Sequence, residues 1–209
     1  MVGVGGGFIT DDKLIEQLQG IEGSFTTTVE DESGKINLNF LALGRGTETV
    51  AMLEALFSCP AEREFLESKK IRPTELVYRI KDWADSNEQS EEPSGPSNED
   101  DPYQRQNPPY LALNSPFDTL DQLKMVDGWD DELHAVFSPY FTIYPLQKNA
   151  NEKPKININT VSPALMNCFF PKEARSPCRD SYMELMRAKE EDKAAVVSDA
   201  SEIANVLAQ

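Results

Sequence analysis

The sequence predicts an α+β fold, in which a few short strands are interrupted by a large, mostly helical inserted domain. Two similar segments lie far apart, Gly34-Lys35-Ile36-Asn37-Leu38-Asn39 and Pro154-Lys155-Ile156-Asn157-Ile158-Asn159. Each alternates apolar residues with asparagine, as a half-buried strand does. The roughly one hundred residues between them are far too many for an ordinary loop. They carry helical periodicity instead, three times in succession, and then an acidic segment.

In chain order, Asp11 to Leu18 reads as a short helix with Leu14, Ile15 and Leu18 on one face. Gly20 and Gly23 stop it. Ser24 to Glu30 is rich in β-formers, and Asp31-Glu32-Ser33-Gly34 is a turn. Residues 24–39 therefore read as a hairpin whose second strand is Lys35–Asn39. Thr47 opens a helix through Phe57, with Val50, Leu53, Leu56 and Phe57 on one face. Pro60 heads a second helix through Lys69, and Pro73 a third through Leu76, Val77, Ile80 and Trp83, since proline suits the first helical position.

From Glu88 to Pro109 the chain is rich in Pro, Ser, Glu and Asn and has no apolar period, so it reads as a loop. Short helices are expected over Thr119–Met125 and Asp130–Val136, separated by an Asp127-Gly128 turn. Phe141–Tyr144 is a strand, and Ile156–Thr160 repeats the earlier strand pattern. Ser162-Pro163 opens a helix through Phe169, Ser181–Lys193 is helical, and Ser198 caps a last helix. The asparagines of the repeated pattern either cap the following helix or fix the turn. The expected organisation is 1–43, 44–150 for the inserted helical domain with its acidic loop at 82–109, and 151–209 for the return strand and C-terminal helices.

The net charge of −16 disfavours nucleic acid, which needs a basic footprint, and anionic membrane surfaces. With His134 as the single histidine, His-based zinc sites and triads have almost nothing to draw on. His134 sits in an amphipathic helix and reads as structural, and Trp83 and Trp129 read as core anchors. No run of 18 apolar residues is present, and the start does not resemble a signal peptide. Neither a phosphate-binding glycine loop nor a G-x-S-x-G or H-E-x-x-H motif occurs, so an enzyme is not expected. Cys168 and Cys178 are ten apart and would pair in an oxidising compartment, leaving Cys59 over. The competing reading is three reduced thiols, two of them in the core.

The acidic segment carries the candidate site. Asp82 to Asp101 holds eight carboxylates and no lysine or arginine. Like charges about 4 Å apart repel by roughly 1 to 4 kcal/mol per pair, depending on the local dielectric. The segment therefore either stays loose in solvent or closes around a cation. Oxygen ligands without His or Cys favour a hard ion such as calcium. The spacing is not that of an EF-hand.

Five segments, in order, are similar to the minor pseudopilin K family of bacterial type II secretion systems, the general secretion pathway protein K. They are Glu30–Asn39, Asp82-Trp83-Ala84-Asp85, Glu99-Asp100-Asp101-Pro102-Tyr103, Asn114–Leu123 leading into Val126-Asp127-Gly128-Trp129, and Ile156–Thr160. The resemblance implies a pilin-like small sheet carrying the helical insertion. It implies a non-enzymatic tip subunit beside other minor pseudopilins, on the periplasmic side of the inner membrane of a Gram-negative bacterium. It also implies calcium near the D-W-x-D and E-D-x-x-Y elements, with a ligand pool of Asp82, Asp85, Asn87, Glu99, Asp100 and Asp101. The chain departs from the family at Ser97-Asn98, where Gly-Ala is usual, and at Asn87, which is often Asp. An anchoring N-terminal hydrophobic helix and a last strand after Gln209 are expected outside this chain. Asn157-Ile158-Asn159-Thr160 also resembles the opening of a helix-hairpin-helix DNA-binding module. The following Met166-Asn167-Cys168-Phe169-Phe170 lacks the glycine and the basic cluster such a module needs. The alternative to a pseudopilin is a free-standing calcium-binding adhesion or signalling module.

Overall fold

The computed structural model describes residues 30–43, 46–144, 153–170, 180, 182–184 and 186–187. The chain divides into two compact units, Met1–Asp31 and Glu32–Gln209. The helix expected at 11–18, the strand at 24–29 and the helix from Ser198 lie outside the described residues. Of the helix expected over Ser181–Lys193, the described residues 182–184 and 186–187 are helical.

The described part is mostly helical around one small sheet. The long helices are α1 (Gly46–Phe57), α2 (Pro60–Ser68) and α3 (Pro73–Ala84). Three short ones follow: α4 (Asp101–Gln104), α5 (Asp131–Phe137) and α6 (Pro163–Phe169). In α1 the buried positions are Gly46, Thr49, Met52, Leu53, Leu56 and Phe57, the spacing that lines one face of a helix. In α3 they include Leu76, Val77, Ile80, Trp83 and Ala84, by the same rule. Prolines 60, 73 and 163 each occupy the first turn, where no intrahelical N–H is lost. Asp130 caps α5 by accepting from Leu133 N at 2.8 Å, and Ser162 caps α6 by accepting from Leu165 N at 3.1 Å. A 3-10 helix at Leu120–Met125 carries a full capping box between Thr119 and Gln122.

The core lies where α1 meets α3 and α6. Phe57 sits edge-on to Phe137 and Phe141, with ring centroids 5.0 and 6.4 Å away. Trp83 and Trp129 are buried, as expected of core anchors.

The sheet corrects the sequence reading. It pairs β1 (Ile36–Asn37) with β2 (Phe141–Thr142) in parallel, Ile36 opposite Phe141 and Asn37 opposite Thr142. The strand expected over Lys35–Asn39 stops after two residues and becomes a 3-10 helix, Leu38–Leu43. Every residue from Ile36 to Leu41 is buried, so the alternation does not mark an exposed face. Ile156–Thr160 is not a strand either; it is extended and then turns. One cause accounts for both departures. The side-chain Oδ1 of Asn37 accepts from Asn39 N at 3.0 Å, and the Oδ1 of Asn157 accepts from Asn159 N at 3.0 Å. A side chain that captures the backbone two residues on competes with the ladder and bends the chain. The repeated pattern is thus a repeated turn, and the asparagines fix it.

The two repeats also meet. Asn157 N donates to the Ser33 carbonyl at 2.7 Å. Gly34 is pressed against Thr160, so closely that a Cβ there would lie 2.6 Å from the Thr160 carbonyl carbon.

The cysteine pairing is corrected as well. Cys59, at the start of α2, is disulfide-bonded to Cys168 in the last turn of α6, with Cα atoms 5.1 Å apart and a sequence separation of 109. The pairing of Cys168 with Cys178 is thereby overturned, and so is the reading of three reduced thiols. Ten residues of spacing decided nothing; the packing of α6 against the α1–α2 corner did.

Candidate functional site

The acidic segment begins on the last turn of α3. Asp82 is on that turn, Asp85 caps it, and both are buried. The Asp82 carboxylate accepts from Ser90 Oγ at 2.8 Å and from Glu91 N at 3.0 Å. These bonds fold the loop back over the helix end. An antiparallel bridge between Gln89 and Asn98 and a bond from Glu99 N to the Glu88 carbonyl (3.4 Å) turn residues 88–99 into a hairpin.

The segment is neither loose nor free of cations. Lys81, one residue before it, pairs with Asp85 at 2.8 Å and with Glu91. Arg79 places Nε and Nη2 on one oxygen of Glu92, at 3.0 and 2.8 Å, and reaches Asp127 at 3.2 Å. The adjoining Gly128 has φ +80°, and a Cβ there would meet the Arg79 guanidinium at 2.8 Å. Two cations from the preceding helix thus compensate charges that the segment itself leaves unbalanced.

Glu99 is the exception. It is 3% exposed, and neither of its carboxylate oxygens accepts a hydrogen bond. Burial, reinforced by the negative charges of Asp85 and Asp82, pushes its pKa up to about 8. The Asn114 amide lies close enough to offset part of this, without the geometry of a hydrogen bond. Asp82 is also pushed up, first by burial, against the bonds it accepts from Ser90 and Glu91. Asn114 itself has a buried Oδ1 with no partner, at a backbone φ of +48° held by its N–H donating to the Trp83 carbonyl at 3.0 Å.

The other expected residues stand differently. Asp100 is half-buried and accepts from Ala112 N at 2.8 Å, pinning the segment that leads to Asn114. Asp101 opens α4 and lies 3.8 Å from Arg105. Asn87 is exposed; its amide donates to Asp85 at 2.7 Å and its oxygen accepts from Gln89 N at 2.8 Å. Asp82, Asp85 and Glu99 are the three that the fold buries together, and Asn114 joins them. Sequence reasoning missed Asn114 as a ligand candidate. Its only signal was a position before Ser115-Pro116, where an asparagine tolerates a left-handed backbone.

A buried carboxylate without a donor is costly, and a hard cation with oxygen ligands is the partner that removes the cost. The orphaned oxygens of Glu99 and Asn114, beside Asp82 and Asp85, are the donor types such an ion takes, and the three carboxylates would have to draw closer to share one ion. No three of the carboxylate oxygens lie within 4.8 Å of one another. Among the described residues the only trio of His, Cys, Asp or Glu ligand atoms that close is Cys59, Glu62 and Cys168.

The fold has a counterpart among solved structures. The crystal structure of the GspK-GspI-GspJ complex from the enterotoxigenic Escherichia coli type 2 secretion system contains a chain of similar fold. The TM-score is 0.53 at 18% identity, covering 86% of this chain and 61% of that one. The family model for type II secretion system (T2SS) protein K matches residues 34–146, and this chain belongs to that family. Type II secretion system protein K of Klebsiella pneumoniae is 28% identical over 155 residues, 73% of this chain and 45% of that protein. Its counterpart in Aeromonas hydrophila is 29% identical over 147 residues, 68% of this chain and 42% of that protein. The chain therefore spans less than half the length of these curated relatives. No helix among the described residues is long and apolar enough to cross a membrane.

Proposed function

We propose that the chain is part of a tip subunit of the type II secretion pseudopilus. It would assemble with minor pseudopilins of the kinds named in the Escherichia coli complex and support export of folded proteins across the outer membrane. The family match over residues 34–146 carries this reading. Its role is structural rather than enzymatic. The Cys59–Cys168 disulfide supports an oxidising compartment, the periplasmic side of the inner membrane.

The second half of the proposal is calcium. Glu99, with both oxygens buried and unpaired, is the observation that carries it. Asp82, Asp85, Glu99 and Asn114 would hold the ion, which supplies positive charge where the fold has gathered carboxylates. Asp100, through Ala112, positions the segment that carries Asn114, and Lys81 and Arg79 tie Glu91 and Glu92 to α3. The loop then rigidifies the helical insertion, residues 44–150, into a bulky head that leaves no room for a further subunit above it.

Size-exclusion chromatography of the chain mixed with its two presumed partner pseudopilins tests the assembly. Co-elution is expected. A chain that binds calcium yet stays alone would instead favour a free-standing calcium-binding module for adhesion or signalling. A head-deleted variant that still ends filaments normally would remove the capping role.

A further inference from the structure

We propose that Cys59, Glu62 and Cys168 form a second, redox-gated metal site: a disulfide when oxidised, and a thiolate–carboxylate site for a zinc-type divalent cation when reduced. Their ligand atoms already lie within 4.8 Å of one another. The arrangement follows from the start of α2. Cys59 is the N-cap and Glu62 the third helical residue, a spacing at which the two side chains face each other. Cys168 arrives from α6 and is buried.

One further observation points to a cation. Glu62 is half-buried and forms no ion pair with a described lysine or arginine, while its charge is felt by the half-buried Tyr140.

The chemistry balances with a dithiol reductant. Its thiolate attacks one sulfur of the pair, and the other leaves as a thiolate. The second thiol of the reductant then closes its own disulfide and releases the first cysteine. Two cysteines are left reduced and the dithiol is oxidised. Binding the cation displaces two thiol protons. The sulfurs then sit about 3.7 Å apart around a tetrahedral ion with metal–sulfur distances of about 2.3 Å, Glu62 supplies the third ligand and water the fourth. The same ion would block re-formation of the disulfide, so metal and oxidant compete for one pair of sulfurs.

Cobalt(II) is the probe, because its thiolate charge-transfer bands distinguish sulfur ligation from binding in the acidic loop. The full chain is reduced with a phosphine, kept in excess calcium, and titrated with Co²⁺. One equivalent should produce the bands, and Zn²⁺ should displace it. The oxidised chain should show none. Cys178→Ser should bind as before, and Cys59→Ser should lose the bands. Glu62→Gln should weaken binding about tenfold or more while its disulfide still forms. Circular dichroism is recorded alongside. If reduction melts helix, Co²⁺ should restore it. Absent bands, helix not restored, bands that follow Cys178 rather than Cys59, or unchanged affinity in Glu62→Gln would each overturn the proposal.

Discussion

The side-chain amide of Asn39 clasps the backbone of Phe117. Asn39 Nδ2 donates to the Phe117 carbonyl at 3.1 Å, and Asn39 Oδ1 accepts the Phe117 N–H at 2.7 Å. A second donor bond from the same Nδ2 reaches the Ile143 carbonyl at 3.1 Å. All of these groups are buried. One asparagine therefore joins the segment after β1, the turn that precedes the Leu120 helix, and the end of β2.

Asn39→Ala should destabilise the protein by about 3 to 5 kcal/mol. It leaves a buried N–H and two buried carbonyls unpaired, at about 1 to 3 kcal/mol each with partial relaxation. Urea unfolding measures this. Asn39→Asp should be at least as harmful, because the carboxylate would face two carbonyl oxygens without a proton to donate. A loss below about 1 kcal/mol for Asn39→Ala would mean that water replaces the amide.

Gly34→Ala should cost about 1 to 3 kcal/mol through overpacking. The added Cβ would meet the backbone of Thr160 at 2.6 Å, and backbone cannot swing aside as a flexible side chain can. The loss should appear in thermal unfolding of the oxidised chain. An unchanged Tm would show that the contact between the two asparagine turns gives way freely.

Removing the disulfide by Cys59→Ala with Cys168→Ala should cost about 2 to 5 kcal/mol. The bond closes a loop of more than a hundred residues, so it restricts the unfolded chain strongly. Denaturant midpoints of the oxidised chain and of this double variant give the figure. Equal midpoints would mean that the packing of α6 on the α1–α2 corner is indifferent to the bond.

These sites show where the sequence was readable. The buried face of α1 and that of α3 follow from spacings within twelve residues, and the prolines and caps mark their starts. Local rules suffice there. The asparagine pattern misled because alternation predicts a strand, whereas Asn37 and Asn157 turn their side chains onto their own backbone. The disulfide partner depended on a contact 109 residues away, which no local spacing encodes. Counting charge inside Asp82–Asp101 found the acids but not Arg79 and Lys81, which stand just outside that window on the same helix. The acids that become buried, Asp82, Asp85 and Glu99, are all visible in the sequence as residues. Their separation from exposed Asn87 was a matter of folding.

Calcium at about 100 times its dissociation constant should stabilise the chain by about 2.7 kcal/mol, provided that it binds only the folded state. For a protein of this size that is roughly 5 to 10 °C in Tm. Asp82→Ala with Glu99→Ala should abolish the shift. Trp83 borders the site and packs edge-on to Tyr103 at 5.0 Å, so its fluorescence gives a second readout. A wild-type chain with equal Tm in calcium and in chelator would leave the loop a self-contained ion-pair network.

Glu99 should also set the pH dependence of the calcium-free protein. Its folded pKa is raised from 4.5 to about 8, so between those values the folded chain holds a proton that the unfolded chain has lost. Stability must then fall as pH rises from about 4.5 to 8, because the unfolded state binds fewer protons. Below pH 4.5 the carboxyl is neutral in both states and the slope from this group vanishes. Glu99→Gln mimics the neutral form. In chelator at pH 8 it should be more stable than wild type, by about 2 kcal/mol after allowance for relaxation. In calcium the order should reverse, because the ion holds wild-type Glu99 in its charged form and the amide forfeits one charge. The crossing of the two variants between chelator and calcium is the signature. If Glu99→Gln is less stable in both, the buried carboxylate has a partner in the protein and the cation is unnecessary.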